Sequence, residues 1–114
     1  SILTNKEVIA VNQDKLGTAG FKYSDRYSLE VWVKPLENDN WAVCFLNRSH
    51  APVQVNFNWK NEIITDTLFK MTLNASQQTY KIRNLWTHTM QGDTQKPLTT
   101  MLPAHDVVVL RLSK

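Results

Sequence analysis

Three glycines, one cysteine and no long apolar run make this 114-residue chain poor in several ways at once, and each scarcity excludes something. Gly17, Gly20 and Gly92 are too few and too scattered to build a loop that cradles phosphates, and neither a P-loop nor a GxSxG turn occurs. A lone Cys44 rules out an internal disulfide and any cysteine-based zinc cluster. No stretch approaches the roughly 20 apolar residues of a membrane-spanning helix. Charge is thin as well. Thirteen basic and ten acidic side chains leave a net charge of +3, and no two basic residues are adjacent. Such a chain has no basic stripe to follow a nucleic-acid backbone. We therefore expect neither a nucleic acid nor a membrane as partner. The opening Ser1-Ile2-Leu3 lacks the basic start and apolar run of a signal peptide, and its abruptness suggests a piece of a longer polypeptide.

What remains is a composition suited to one folded domain, 42% hydrophobic and 20% charged. Residues 4–16 carry the only helix signal. Thr4 and Glu7 have capping-box spacing, Leu3 and Val8 can staple across the cap, and Val8 to Val11 make the helix apolar around much of its circumference. Gly17 and Gly20 end it, and a loop with Lys22, Ser24 and Asp25 follows. After residue 26 the period changes to two. Leu29, Val31 and Val33 alternate with Glu30, Trp32 and Lys34, and Val53, Val55, Phe57 and Trp59 alternate with Gln54, Asn56 and Asn58. In 41–47 both faces are apolar, which predicts a central strand covered twice. One or two weaker strands fall in 63–73, another spans Tyr80, Ile82 and Trp86, Gly92-Asp93 reads as a turn, and 97–101 and 107–112 close the chain. Strands separated by turns every 8–12 residues or so signal a sandwich. We expect an all-β, antiparallel Greek-key-type β-sandwich of seven or eight strands, preceded by one N-terminal α-helix.

Chemistry is harder to find. His50, His88 and His105 are far apart, with no HExxH and no acidic cluster at ligand spacing, so neither a metal nor any other cofactor is expected. His105 and Asp106 could form an acid/base pair, or bond to backbone at a turn and fix the start of the last strand; adjacent strand residues point to opposite faces, which favours the second reading. Most carboxylates, including Glu37, Asp39, Glu62 and Asp93, fall in turns. Asn47-Arg48-Ser49 and Asn74-Ala75-Ser76 match the glycosylation triplet, which carries meaning only in a eukaryotic secreted host. Cys44 reads as a small buried hydrophobe. Trp41, Trp59 and Trp86 lie on apolar faces and read as core. Trp32 shares its face with Glu30 and Lys34, so a sugar platform, a contact to another domain and a half-covered surface aromatic all stay open.

The order of segments resembles a known family. Ile2-Leu3-Thr4-Asn5-Lys6-Glu7-Val8-Ile9-Ala10-Val11-Asn12-Gln13-Asp14 with Leu16-Gly17 is similar to the last barrel helix of the α-galactosidases (melibiases) of glycoside hydrolase family 27. Glu30-Val31-Trp32-Val33-Lys34-Pro35-Leu36, Trp41-Ala42-Val43 with Leu46-Asn47-Arg48-Ser49, Arg83-Asn84-Leu85-Trp86 and Pro103 to Leu112 resemble successive blocks of that family's tail. Asn84 stands where the family usually carries Asp, and residues 60–80 diverge.

The resemblance implies a parent enzyme whose upstream (β/α)8 barrel removes terminal α-linked galactose with retention, through two aspartates. Both belong to barrel motifs, so no catalytic residue is assigned here. Residues 1–20 would be the last barrel helix and linker, and 21–114 the C-terminal sandwich. The expected role is a non-catalytic structural domain of that hydrolase, with a carbohydrate-binding module for galactose-containing polymer as the alternative. Trp32 is the candidate carbohydrate contact. Ile2, Leu3, Val8, Ile9, Val11 and Trp32 are the candidate interdomain contacts. The partner is the barrel of the same polypeptide, a homo-oligomer is admissible, and the parent is expected to be secreted, periplasmic or lysosomal.

Overall fold

Alternation of apolar and polar side chains becomes ten antiparallel strands in the computed structural model, which describes residues 21–26, 28–66, 71–85, 87 and 89–114. The expected helix over 4–16, the contacts Ile2, Leu3, Val8, Ile9 and Val11, and Trp86 and His88 lie outside those residues. The strands are β1 (Phe21–Arg26), β2 (Leu29–Pro35), β3 (Trp41–Asn47), β4 (Val53–Phe57), β5 (Ile63–Asp66), β6 (Met71–Asn74), β7 (Lys81–Asn84), β8 (Thr89–Asp93), β9 (Leu98–Leu102) and β10 (Val107–Ser113).

Six of them form one sheet in the order β1-β2-β3-β10-β7-β8, while β4 pairs with β9 and β5 with β6. The last strand thus returns to the middle of the first sheet, between β3 and β7. Its inner residues Leu110 and Leu112 join Val31, Val33, Trp41, Val43, Phe45 and Ile82. Val55, Phe57, Ile64, Leu73 and Leu102 from the two ribbons complete the same core. This is a β-sandwich, with the six-stranded sheet as one layer and the ribbons as the other.

The described residues hold ten strands where seven or eight were expected, and the differences have local causes. The predicted loop around Lys22, Ser24 and Asp25 is strand β1, which pairs with β2 through a register shift between Lys22 and Ser24. Polar residues hide a strand whose stability comes from its neighbour. The 63–73 region, expected to hold one or two weaker strands, is a hairpin of two, β5 and β6, in keeping with that expectation. Gly92 and Asp93 belong to β8 rather than to a turn. The register of β8 slips against β7 between Lys81 and Arg83, and Gly92 takes φ 81°. A glycine in that region lets an edge strand bulge without ending it. Trp59 also leaves the strand pattern. β4 stops at Phe57, and Asn58 accepts a hydrogen bond from the Lys60 amide (3.2 Å), starting a short 3-10 turn that still buries the indole.

Polar clamps hold the layers. Asn47 is wholly buried, and its Nδ2 donates to the carbonyls of Ala51 (2.9 Å), Leu102 (3.0 Å) and Pro103 (3.1 Å). Its Oδ1 accepts from the Ser49 amide and hydroxyl. One side chain thereby ties the end of β3 to the end of β9. The hydroxyl of Tyr23 on β1 donates to the Glu62 carboxylate beside β5. Buried Thr94 bonds Tyr80 twice, through its amide to the Tyr80 carbonyl (2.9 Å) and through its Oγ1 to the Tyr80 amide (3.0 Å).

Candidate functional site

The first sheet is apolar on both faces at its centre. Register sets the outer rows: Lys22, Trp32, Cys44 and Val109 lie side by side across β1, β2, β3 and β10, and Glu30, Leu46 and Val107 form the row beside them. Lys34, Ala42, Arg111 and Arg83 make the row on the other side. Ala42 and Val109 cluster with Leu36 and Leu85 outside the main core, with Cys44 and Val107 packed against them. A sheet with one solvated face needs no such second cluster.

Trp32 stands at the edge of this patch, 38% exposed. Its indole Nε1 donates to Glu30 Oε1 (2.8 Å), and Arg48 donates to Glu30 Oε2 (2.6 Å). Residues i and i+2 of a strand share a face, which is why Glu30 reaches Trp32. Arg48 arrives because its amide bonds the Ser28 carbonyl (2.9 Å), which fastens the exit of β3 to the β1–β2 turn. Lys22 Nζ lies 6.0 Å from the centroid of the Trp32 ring. The indole hydrogen bond, then that from Arg48, hold the Glu30 carboxyl below its usual value of 4.5, although burial opposes them. Beside Trp32, burial pushes the Cys44 thiol up to about 11, with the Glu30 charge adding to it. Cys44 is therefore a neutral packing residue, as its apolar run implied. The Glu30–Trp32 spacing was legible beforehand, but Arg48 joins them only through the turn geometry.

The other sequence candidates fall apart as chemistry. Asp106 Oδ1 accepts from the Val107 amide (2.8 Å) and so fixes the start of β10, while His105 turns to His50 with its Nε2 2.9 Å from His50 Nδ1. The two rings meet edge to face with centroids 4.7 Å apart. Among the described residues no three His, Cys, Asp or Glu side chains converge as metal ligands. Of the glycosylation triplets, Asn47 has its amide buried among three carbonyls, leaving no access for modification in the folded state. Asn74 is half-buried, with its Oδ1 bonded to the Ser76 hydroxyl (2.6 Å). The core reading holds for Trp41 and Trp59, which are 0% and 2% exposed.

Comparison with known proteins agrees with this geometry. Residues 26–112 match the family described as the α-galactosidase C-terminal β-sandwich domain. The chain is 42% identical over 113 residues to α-galactosidase A of Cellvibrio japonicus, covering 99% of this chain and 28% of that protein. It spans about a quarter of the length of such curated relatives, as with α-galactosidase 2 of Arabidopsis thaliana, 34% identical, of which it covers 26%. The crystal structure of α-galactosidase I from Mortierella vinacea superposes with a TM-score of 0.78 at 26% identity, over 97% of this chain and 27% of that one. On the family match, the identity and the shared sandwich, the chain belongs to the α-galactosidase C-terminal β-sandwich domains of glycoside hydrolase family 27.

Proposed function

We propose that this domain is the non-catalytic C-terminal part of a retaining α-galactosidase, and that it seats against the enzyme's catalytic domain through the outer face of β2, β3 and β10. The observation that carries the reading is Trp32, a large aromatic left 38% exposed beside the Glu30–Arg48 charged pair at the edge of that face. The second apolar cluster next to it, Leu36, Ala42, Leu85 and Val109, is already buried within this chain, so the exposed ring and its charged border are what a second body would cover. Trp32 belongs to the rim of this seat. Its indole nitrogen is already bonded to Glu30 and its ring faces Lys22, an arrangement suited to a fixed contact more than to a free stacking platform. Arg48 and Glu30 add a charged pair at the same border.

Relatives lend support through what varies among them. A glycoside hydrolase family 27 β-L-arabinopyranosidase of Geobacillus stearothermophilus has a domain superposing with a TM-score of 0.75 at 25% identity, covering 99% of this chain and 23% of that one. The same sandwich thus accompanies enzymes named for different sugars, which fits a structural role better than the choice of substrate.

The test is made in the full-length polypeptide. Trp32→Lys would replace the exposed ring of the seat by a charge while leaving the buried cluster beside it intact. We expect lower thermal stability and easier proteolytic release of the C-terminal domain, with kcat/KM per folded molecule unchanged. A large drop in kcat at unaltered stability would instead give this domain a part in the chemistry.

A further inference from the structure

The sandwich is not closed all the way round. Between the end of the six-stranded sheet and β9 lies an open cleft of about 430 Å3, lined by Asn84, Gln91, Leu98, Thr100, Asp106 and Val108 among others. A hollow of about 240 Å3 adjoins it and shares Gln91 and Leu98. Register shows why the opening exists. Asn84 pairs with core residue Leu110 and with Thr89, so Thr89 and Gln91 occupy the inner side of β8, yet β8 gives no residue to the core. On the opposite wall Leu98, Thr100 and Leu102 share the inner side of β9, opposite Phe57, Val55 and Val53. The inner surface therefore changes from aliphatic to amide and hydroxyl at this corner.

We infer that this cleft is a binding site for a neutral saccharide, a mono- or disaccharide unit held by Gln91 and Thr100 against the aliphatic wall of Leu98 and Val108. Its volume falls within the roughly 300–1,000 Å3 of small-molecule sites. The chemistry of the lining selects the ligand class. Gln91 and Thr100 are solvent-exposed and make no side-chain hydrogen bond among the described residues, so both can bond a ligand's hydroxyls. Asp106 at the mouth keeps one oxygen on the Val107 amide, leaving the other to accept from a hydroxyl. Asp93 and Asp106 disfavour an anion, with Lys96 the one cation lining either hollow among the described residues. No metal-ligand cluster is present among the described residues to favour a cation. Alternating C–H faces and hydroxyls are what amide, hydroxyl and aliphatic walls together satisfy.

Trp59 lines the adjoining hollow with its ring, while its Nε1 is buried away from solvent, so the indole serves as a reporter of occupancy and not as a ligand donor. The walls are also set in advance: β9 is paired with β4, and Thr94 pins the β8–β9 corner to Tyr80. A ligand would find the cleft already shaped, which limits the cost of binding.

The experiment is an amide and indole NMR titration of the protein with galactose and, separately, with melibiose. Expected are shifts confined to Asn84, Gln91, Leu98, Thr100 and the Trp59 indole. Galactose alone sufficing would define a single-ring site; a response only to melibiose would define a two-ring site. Gln91→Met and Thr100→Val keep side-chain size and β-propensity while removing hydrogen-bonding groups, and each should weaken binding by about tenfold. Dispersed spectra of both variants would show that the loss is not unfolding. Absence of shifts at high sugar concentration, shifts centred on Trp32, or binding indifferent to both substitutions would each overturn the assignment.

Discussion

The two faces of β3 and β10 are built from different materials. Inside, large rings interlock: Phe45 meets Phe57 and Trp59 edge to face at 5.3 and 6.3 Å, and Phe57 meets Trp59 at 4.9 Å. Outside, Ala42 and Val109 form with Leu36 and Leu85 a thin apolar floor already buried within this chain, with Cys44 packed against it and Glu30, Arg48 and Trp32 at its border. The inner face is filled by this chain's own ribbons and needs bulk to reach across two sheets. A thin apolar layer with a charged, partly exposed border suits the proposed contact with a second folded body. The difference separates the packing that fills the sandwich from the rim that we propose meets a neighbour.

Substitutions can break that contrast on one face at a time. Phe45→Ala empties the centre of the ring cluster and should cost about 3–5 kcal/mol, the usual loss for a buried Phe; denaturant unfolding would measure it. A loss under about 1 kcal/mol would mean the inner face is loosely packed. Next comes Asn47→Ala, which leaves buried carbonyls without their donor and should cost about 1–3 kcal/mol in the same assay. Because Asn47 joins β3 to the end of β9, hydrogen exchange near Leu102 and Pro103 should quicken more than exchange in β2.

On the outer face the effects are smaller and depend on pH. Glu30 has a folded value below its ordinary 4.5, so its stabilisation is complete above 4.5 and disappears as pH falls through the folded value. A Tm difference between the parent and Glu30→Gln should therefore be present near neutrality and vanish in acid; a difference persisting in strong acid would mean the carboxylate's charge is not its source. Cys44 works in the opposite sense. Its thiol is raised from 9.0 to about 11, so the folded state is favoured below 9.0 and loses that advantage as pH climbs to about 11. Alkylation of Cys44 near neutral pH should be slow in the native protein and fast in denaturant. Fast native alkylation would make the outer floor open to solvent.

Much of this was legible beforehand. Alternation in 29–34 and 53–59 corresponds to β2 and β4, although β4 stops at Phe57, and two-sided apolarity in 41–47 foretold the central strand β3. Polar β1 was not legible, since Lys22, Ser24 and Asp25 resemble a loop until β2 supplies the hydrogen bonds. Nor was β8, where a glycine that ordinarily signals a turn serves a bulge instead. Trp32 was marked as unusual by its charged neighbours, yet its tie to Arg48 depends on two chain turns meeting in space. The cleft left no trace in any local pattern, because Gln91 and Thr100 come from strands in different layers.

Alternation, turn chemistry and the order of family blocks by themselves determined a two-layer antiparallel domain of the α-galactosidase C-terminal type, because each is a property of neighbours along the chain. Only the tertiary structure decided that β10 lies between β3 and β7, that Asn47 is locked beneath β9, and that Glu30 is shared by Trp32 and Arg48. Those facts rest on strand order and register, and both are settled by long-range pairing whose energy no single segment contains.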